Sequence, residues 1–145
     1  MLELAIRSGE GPVQLETLAQ VQKMPERYLA KIVQDLRRAG LVRSVRGARG
    51  GYMLARAPAA IEILDIVRCL DGSVAPTECV DDPAVCVSAP KCVAREVWAK
   101  VNDAIVDVLE SVTLQDLVDR RVQKLGNQAA GALRNGETTD PCTTE

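Results

Sequence analysis

Residues 25–58 read PERYLAKIVQDLRRAGLVRSVRGARGGYMLARAP, and this stretch decides the fold. Its first half predicts a helix, because apolar residues recur at intervals of three and four. Proline suits the start of a helix and glycine suits the position after its end, so the helix is predicted to run from Pro25 to just before Gly40. The expected buried stripe consists of Tyr28, Leu29, Ile32, Val33, Leu36 and Ala39.

Two short runs around a glycine-rich turn follow this helix. LVRSVR and YMLA have strand composition, and GARGG between them is typical of a tight turn, so a β-hairpin is predicted. Upstream, residues 15–20 predict a short amphipathic helix, followed by a turn at residues 21–24. Two helices joined by a tight turn form a helix-turn-helix, and a hairpin directly after it is a wing. The predicted fold class is mainly α, a winged helix-turn-helix with a β-hairpin wing and a long C-terminal dimerisation helix.

The longest helix is predicted from Lys91 to about Val112, and it carries a broad apolar stripe. This stripe belongs either to an intramolecular core helix or to a helix that pairs with its mate in a symmetric dimer. The dimer is favoured because few other elements remain to cover the stripe. The residues assigned to dimerisation are Val97, Val101, Ile105 and Val108.

The remaining patterns divide the chain into four segments. Residues 1–72 form the DNA-binding domain, and they end with a short helix over 61–70 that stops at Asp71-Gly72. Residues 73–90 form an aperiodic cysteine loop. Residues 91–125 are predicted to hold the long helix and a short helix over residues 114–121 that Thr113 caps, and residues 126–145 are predicted to form a disordered tail. The chain opens on what resembles the last turns of a helix, so the front of that helix is expected to be missing.

The composition excludes several classes of protein. Apolar residues make up 47% of the 145 residues and aromatic residues only 2%, which indicates an aliphatic core of packed helices. No run approaches the roughly 18 apolar residues of a membrane span, and no secretion signal is visible, so a cytoplasmic protein without a membrane partner is expected. The absence of histidine removes the commonest general base, and no phosphate loop or nucleophile motif is present, so an enzyme is not predicted.

The charge is distributed unevenly along the chain. The net charge is −2, but residues 21–56 contain nine basic and two acidic residues. Such a basic block in an acidic chain indicates a face that binds a polyanion, and a merely solvated surface is the alternative.

The predicted DNA contacts lie on the second helix and at the wing tip. The second helix of a helix-turn-helix enters the major groove, while arginines on a wing suit the negative potential of the minor groove. Protein contacts in place of DNA contacts are the alternative use of this fold. The DNA-binding candidates are Glu26, Arg27, Tyr28, Lys31, Arg46, Gly47 and Arg49.

Three cysteines lie close together in CVDDPAVCVSAPKC, residues 79–92. Cys79, Cys86 and Cys92 provide the soft, anionic thiolates that iron–sulfur clusters need. A thiol redox switch, a zinc site and three inert thiols are the alternatives. An electron carrier of the ferredoxin kind would have four such cysteines and no basic helix-turn-helix. Cys69, on an apolar helix face, is predicted to be a small core residue.

Residues 15–72, and most specifically RYLAKIVQDLRRAGLVRSVRGARGGYMLARAP at residues 27–58, resemble the Rrf-two family of winged-helix transcription regulators, which includes the IscR, NsrR and CymR types. The resemblance extends from Met1 to about Leu125. It implies a homodimer that binds a palindromic operator in double-stranded DNA, acting as a repressor. It also implies that Cys79, Cys86 and Cys92 bind an iron–sulfur cluster, 2Fe–2S in preference to 4Fe–4S, since CymR-type members generally lack this triplet.

The resemblance leaves one ligand of this cluster unassigned. In IscR-type members the fourth ligand is a histidine one helical turn after the last cysteine, and Arg95 occupies that position here. An N-terminal residue of the partner subunit and Cys142 in the tail are the candidates for the fourth ligand.

Overall fold

The computed structural model describes residues 1–47 and 49–134. Within these residues the chain forms helices, one β-hairpin and three short 3-10 turns, which confirms the predicted mainly helical class. The elements in chain order are α1 (Leu2–Ile6), α2 (Leu15–Gln22), α3 (Glu26–Arg38), β1 (Val42–Val45), β2 (Gly51–Leu54), α4 (Ile63–Asp71), α5 (Glu78–Asp81), α6 (Val93–Glu110) and α7 (Leu114–Arg134). The 3-10 turns span Pro58–Ala60, Pro83–Val85 and Ala89–Lys91.

The helix-turn-helix consists of α2 and α3, as predicted. The turn between them is tight because Lys23 adopts a left-handed conformation, with φ at 51°. Pro25 is the N-cap of α3 and not its first helical residue. Gly40 follows the C-cap with φ at 70°, and the Leu41 amide donates to the Leu36 carbonyl at 2.9 Å. This geometry confirms the glycine stop that the sequence predicted.

The buried face of α3 is narrower than the predicted stripe. Leu29, Val33 and Leu36 are buried, and their spacing of four and three residues defines one side of the helix. Tyr28 precedes this face by one residue and is 57% exposed, so its assignment to the buried stripe was wrong. Ala39, the C-cap residue, is also exposed.

The wing is a two-stranded antiparallel hairpin in which Val42 pairs with Leu54 and Val45 pairs with Gly51. A third segment, which the sequence did not indicate, joins the hairpin through Val13. The amides of Val13 and Tyr52 each donate to the other's carbonyl at 2.8 Å. These two bonds attach the wing to the segment between α1 and α2.

The core lies where α1, α2, α3, the wing and the first half of α7 meet. Its most deeply buried members include Leu41, Ile61 and Leu114, each at most 1% exposed. A short antiparallel bridge brings residues 61–63 to residues 112–114: the Ile63 amide donates to Val112 at 2.9 Å, and the Leu114 amide donates to Ile61 at 2.8 Å. The start of α7 is therefore an integral part of the winged-helix core.

The helix α7 begins with the cap that the sequence predicted. The Thr113 amide and hydroxyl donate to the Asp116 carboxylate at 2.8 and 2.7 Å, and the Asp116 amide donates back to the hydroxyl at 3.2 Å. These hydrogen bonds from Thr113 hold the pKa of Asp116 below its ordinary value.

The predicted extent of this helix was wrong. It continues to Arg134 instead of ending at Arg121, so the tail predicted from residue 126 begins inside a helix. The predicted tail at residues 135–145, with Cys142, lies outside the described residues.

The segment predicted as a cysteine loop contains α5 and two of the 3-10 turns. These elements are three or four residues long, too short to produce a helical period in the sequence. The helix α4 ends at Gly72, where φ is 83°, and packs against both α3 and α6. The helix α6 begins and ends about two residues inside its predicted limits.

Over the residues that the structure describes, no helix combines the length and the apolar character that crossing a membrane requires.

Replacing Gly51 by alanine tests the attachment of the wing. A Cβ at this position would lie 2.4 Å from the Val13 carbonyl oxygen, so the three-segment pairing has to shift. We expect Gly51→Ala to lower the free energy of unfolding by about 1–3 kcal/mol in urea titrations. Gly126→Ala is the matched control, because Gly126 has open space around it within α7; it should raise stability by up to about 1 kcal/mol. Equal stability of the two variants would contradict the tight Val13 contact.

Candidate nucleic-acid interface and cysteine segment

The exposed side of α3 carries the residues that the sequence assigned to base contacts. Glu26, Arg27, Tyr28 and Lys31 are all exposed. They occupy the first two turns of the helix, with Arg27 and Lys31 one turn apart. The face opposite the core therefore presents two cations, a carboxylate and a phenol ring.

The wing tip brings further cations to the surface. Arg46, Gly47 and Arg49 are exposed, and Gly47 has φ at 119°, a conformation that glycine adopts without strain. The Gly50 amide donates to the Gly47 carbonyl at 2.9 Å and closes the turn. A Cβ on Gly50 would lie 2.3 Å from the Val45 carbonyl oxygen, so the turn has no room for a side chain there.

The cations assigned to DNA contacts form no ion pair with other described residues of the chain. The three ion pairs found in the described part of the chain join Arg7 to Glu3, Arg38 to Asp35 and Arg56 to Asp65. The charges of Arg27 and Lys31 on α3, and of Arg46 and Arg49 at the wing tip, are therefore available to a polyanion. Arg56 instead links the end of the wing to α4 through Asp65 at 3.1 Å, and it also donates to the Ala60 carbonyl at 3.3 Å. Sequence reasoning counted Arg56 only as part of the basic block.

The three clustered cysteines lie on neighbouring elements. Cys79 is in α5, Cys86 follows the 3-10 turn of Pro83–Val85, and Cys92 is the N-cap of α6. All three are free thiols with partial exposure. Since α5 packs against both α6 and the Pro83–Val85 turn, the segment is folded onto the long helix.

The donor chemistry of this segment suits an iron–sulfur centre, because three free thiols lie within fourteen residues. The three thiols do not form a compact binding site in this structure. Among residues 1–47 and 49–134, no group of three histidine, cysteine or acidic side chains is close enough to hold a metal ion. Binding a cluster therefore requires a movement of at least one cysteine that brings the three thiols closer to one another.

Arg95 contacts the cysteine segment in a way that the sequence did not predict. Its Nε donates to the Cys79 carbonyl at 2.7 Å, across sixteen residues of chain. The Thr77 hydroxyl lies 3.5 Å from the Cys79 sulfur. Sequence reasoning considered the residue at this position only as a missing ligand, and no periodicity or spacing could have revealed a bond to a backbone carbonyl.

Cys69 lies apart from the triplet, on α4, where it packs against the core. Burial, with a smaller contribution from the charge of Asp35, raises the pKa of its thiol. Its position agrees with the prediction of a small core residue.

The apolar stripe of α6 is uncovered. No residue of this helix is fully buried, and Val97 and Val108 are 61% and 63% exposed. Of the four residues assigned to dimerisation, Val101 is also exposed and Ile105 is half-buried. The inner side of the helix packs on α4 and α5, so the alternative of an intramolecular core helix leaves the stripe in water.

A protein-family model described as "Rrf2: Iron-dependent Transcriptional regulator" matches residues 1–120. The chain belongs to the Rrf2 family. The family membership expected from the sequence resemblance is thereby confirmed. The curated relatives include the HTH-type transcriptional regulator CymR of Bacillus subtilis, 45% identical over 119 residues that cover 81% of this chain and 80% of the relative. They also include IscR of Erwinia tasmaniensis, 36% identical over 121 residues that cover 83% of this chain and 73% of the relative.

Two solved structures share the fold. CymR of B. subtilis, described as its global cysteine regulator, has a TM-score of 0.68 and 44% identity, over 82% of this chain and 87% of that chain. IscR of T. potens has a TM-score of 0.68 and 42% identity, over 83% of this chain and 78% of that chain. Family membership shows that the chain is a DNA-binding transcriptional regulator and not an enzyme. Because relatives of both the CymR and the IscR kind match, it leaves the role of the cysteines open.

Proposed function

We propose that this chain is a homodimeric repressor that binds a palindromic operator and whose DNA affinity is controlled by an iron–sulfur cluster on Cys79, Cys86 and Cys92. The observation that supports it most is that the cysteine segment packs against α6. The helix α4 contacts both α6 and the exposed basic helix α3. Binding to chromosomal DNA places the protein in the cytoplasm.

The DNA-reading surface consists of α3 and the wing tip. Arg27 and Lys31 are suited to base edges and phosphates of the major groove, and Glu26 can accept from a cytosine amino group. Tyr28 adds a hydroxyl and a flat ring. Arg46 and Arg49, with the open backbone at Gly47, are suited to the minor groove and its phosphates.

The dimer is formed by the exposed stripe of α6. A stripe of valines in water is unfavourable, and burying apolar surface contributes about 25 cal/mol per Å². A twofold pairing of α6 with its mate in a second copy covers the stripe and fixes the distance between the two α3 helices. A palindromic operator matches this symmetry.

The cysteine segment provides three ligands for a cluster, and the fourth remains unassigned. When bound, an iron–sulfur cluster supplies a centre that oxidants can alter and whose occupancy depends on how much cluster is available. Three thiolates can bind either an iron–sulfur cluster or a zinc ion, and the family resemblance is what favours a 2Fe–2S or 4Fe–4S cluster. The partial exposure and the open arrangement of the thiols favour a second candidate, in which the same regulator uses them as a thiol redox switch or a zinc site.

A continuous series of helix contacts connects the cysteine segment to the basic helix α3. The helix α5 packs on α6, α6 packs on α4, and α4 packs on α3. A change in the cysteine segment that shifts α6 would therefore alter the position of α3 in one subunit relative to the other. Since operator half-sites have a fixed spacing, such a shift changes DNA affinity.

Removing single cations tests the DNA surface. We expect Lys31→Ala and Arg46→Ala each to weaken binding to a duplex selected from a random-sequence pool, and to reduce the slope of log affinity against log salt by about 1 per lost phosphate contact. Lys124→Ala, which removes an exposed cation of α7, is the matched control and should leave both quantities unchanged. Fluorescence anisotropy over a salt series measures them. Equal effects of all three variants would contradict the assigned surface.

A charge placed in the α6 stripe tests the dimer. We expect Val101→Glu to convert the dimer to a monomer at micromolar concentration, because each carboxylate would be buried against its mate without a partner. Asp103→Lys is the control. It changes a charge two residues after Val101, which lies on another side of the helix. Sedimentation equilibrium measures the mass. A dimer that survives Val101→Glu would place the interface elsewhere.

Chemical analysis of protein purified without air tests the cluster. We expect visible absorbance, with iron and acid-labile sulfide in equal amounts per chain, and we expect Cys92→Ala to lose both while remaining folded. Cys69→Ala is the matched control, because Cys69 packs against the core outside the triplet, and this variant should keep its iron. A colourless, iron-free parent protein that still binds DNA would favour the thiol switch or the zinc site.

A further inference from the structure

We propose that Arg95 is the positioning residue of the cysteine segment: it holds Cys79 and Cys92 in a fixed relation before any metal is bound. This inference deepens the proposed function and rests on the cysteine segment being the sensing site.

A direct hydrogen bond ties Arg95 to the element that carries Cys79. Its Nε donates to the Cys79 carbonyl at 2.7 Å, and the bond is partly buried. Hydrogen bonds from an ionised donor are shorter and stronger than neutral ones, and this distance is at the short end of their range. Arg95 also approaches from α6, so the bond crosses from one element to another.

The same residue bonds to the second cysteine through its backbone. The Arg95 amide donates to the Cys92 carbonyl at 3.2 Å, in the first turn of α6. Arg95 is therefore hydrogen-bonded to the carbonyls of both Cys79 and Cys92, one through its side chain and one through its main chain. Movement of either cysteine backbone relative to the other breaks one of these two bonds.

The helix that carries Cys79 needs such an anchor. The helix α5 is a single turn of four residues, whereas isolated helices shorter than about 12 residues are marginal in water. Its own hydrogen bond from the Asp82 amide to the Glu78 carbonyl, at 2.9 Å, closes only one turn. Contact with α6 through Arg95 supplies the stability that this turn lacks by itself.

Thr77 adds a second contact on the sulfur side. It is the N-cap of α5, and its hydroxyl lies 3.5 Å from the Cys79 sulfur. Cys79 is thus held at its carbonyl by Arg95 and contacted at its sulfur by Thr77. In this arrangement the backbones of Cys79 and Cys92 are both hydrogen-bonded to Arg95, and Cys86 lies on the segment between them.

Arginine also brings a permanent positive charge to a segment of thiols. Its guanidinium has five N–H donors, of which Nε uses one for the Cys79 carbonyl. A neutral residue of similar length would supply neither this charge nor the same bond.

The test uses the full chain, metal-free and reduced, so that it does not depend on a cluster. Arg95→Ala, Arg95→Lys and the parent are compared, with Lys100→Ala removing an exposed cation of the same helix as the matched control. Peptide-resolved amide hydrogen exchange over residues 77–82 and the alkylation rate of each cysteine, read by mass spectrometry, are the two measurements.

We expect Arg95→Ala to speed exchange over residues 77–82 and alkylation of Cys79 by about tenfold, which is the size expected for a lost charged hydrogen bond. Cys69 should keep its rate. Arg95→Lys should restore most of the protection, because a lysine can donate to the same carbonyl, and Lys100→Ala should match the parent.

Two outcomes would overturn the proposal. Unchanged rates at residues 77–82 in Arg95→Ala would show that the bond holds nothing in place. An equal rise over α4, α6 and the cysteine segment would show that Arg95 only stabilises the fold as a whole. If the parent protein holds no cluster but Arg95→Ala still loosens this segment alone, the positioning role stands and cluster control fails, so the two failures are distinguishable.

Discussion

The short antiparallel bridge between residues 61–63 and 112–114 is the constraint on which the rest of the structure depends. Ile61 and Leu114 are buried beside it, and hydrogen bonds at 2.8 and 2.9 Å join the two backbones. The bridge brings the start of α4 to the corner between α6 and α7. As a result, α7 returns to pack on α1 and closes the winged-helix core, while α6 leaves the core along α4 with its outer stripe exposed. The half that carries the basic surface and the half that we propose to dimerise are joined at this corner.

Because of this arrangement, α4 lies between the two functional regions. It packs on α3 on one side and on α6 on the other, and Arg56 fixes the end of the wing to it through Asp65. One short helix, α4, therefore connects three regions. It contacts α3 directly, the wing through Arg56, and the cysteine segment through α6. In the proposed regulator, a sensing site beside α6 therefore does not need to contact DNA in order to change how the two subunits bind it.

The sequence predicts the parts of this fold that follow from local chemistry. The stop at Gly40, the cap at Thr113 and the hairpin around the glycine-rich turn each depend on neighbouring residues, and each prediction was confirmed. The strand pairing of Val13 and the return of α7 onto α1 depend on contacts between distant residues, and no local pattern encodes them. The predicted end of α7 was wrong because the later residues have a composition of small and polar side chains that is also typical of tails.

The candidate site divides in the same way. The basic residues of α3 and the wing tip were predictable, because their charge contrasts with the rest of the chain. Tyr28 was placed both in the core and on the DNA surface, and only the fold shows that the surface assignment fits its exposure. The hydrogen bond of Arg95 could not be predicted, since a side-chain bond to a carbonyl sixteen residues away requires the packing of α5 on α6. The spacing of the three cysteines indicates a shared site, but not how the chain holds it.

The most direct test of the account is the DNA affinity of one protein sample, purified without air, before and after its iron is removed by a chelator. The measurement uses a palindromic duplex selected from a random-sequence pool at constant salt, with the dimer verified in both states. We predict an affinity change of about tenfold for the parent protein and none for Cys92→Ala. Equal affinity of the iron-loaded and iron-free parent would contradict control of DNA binding by the cysteine segment through iron.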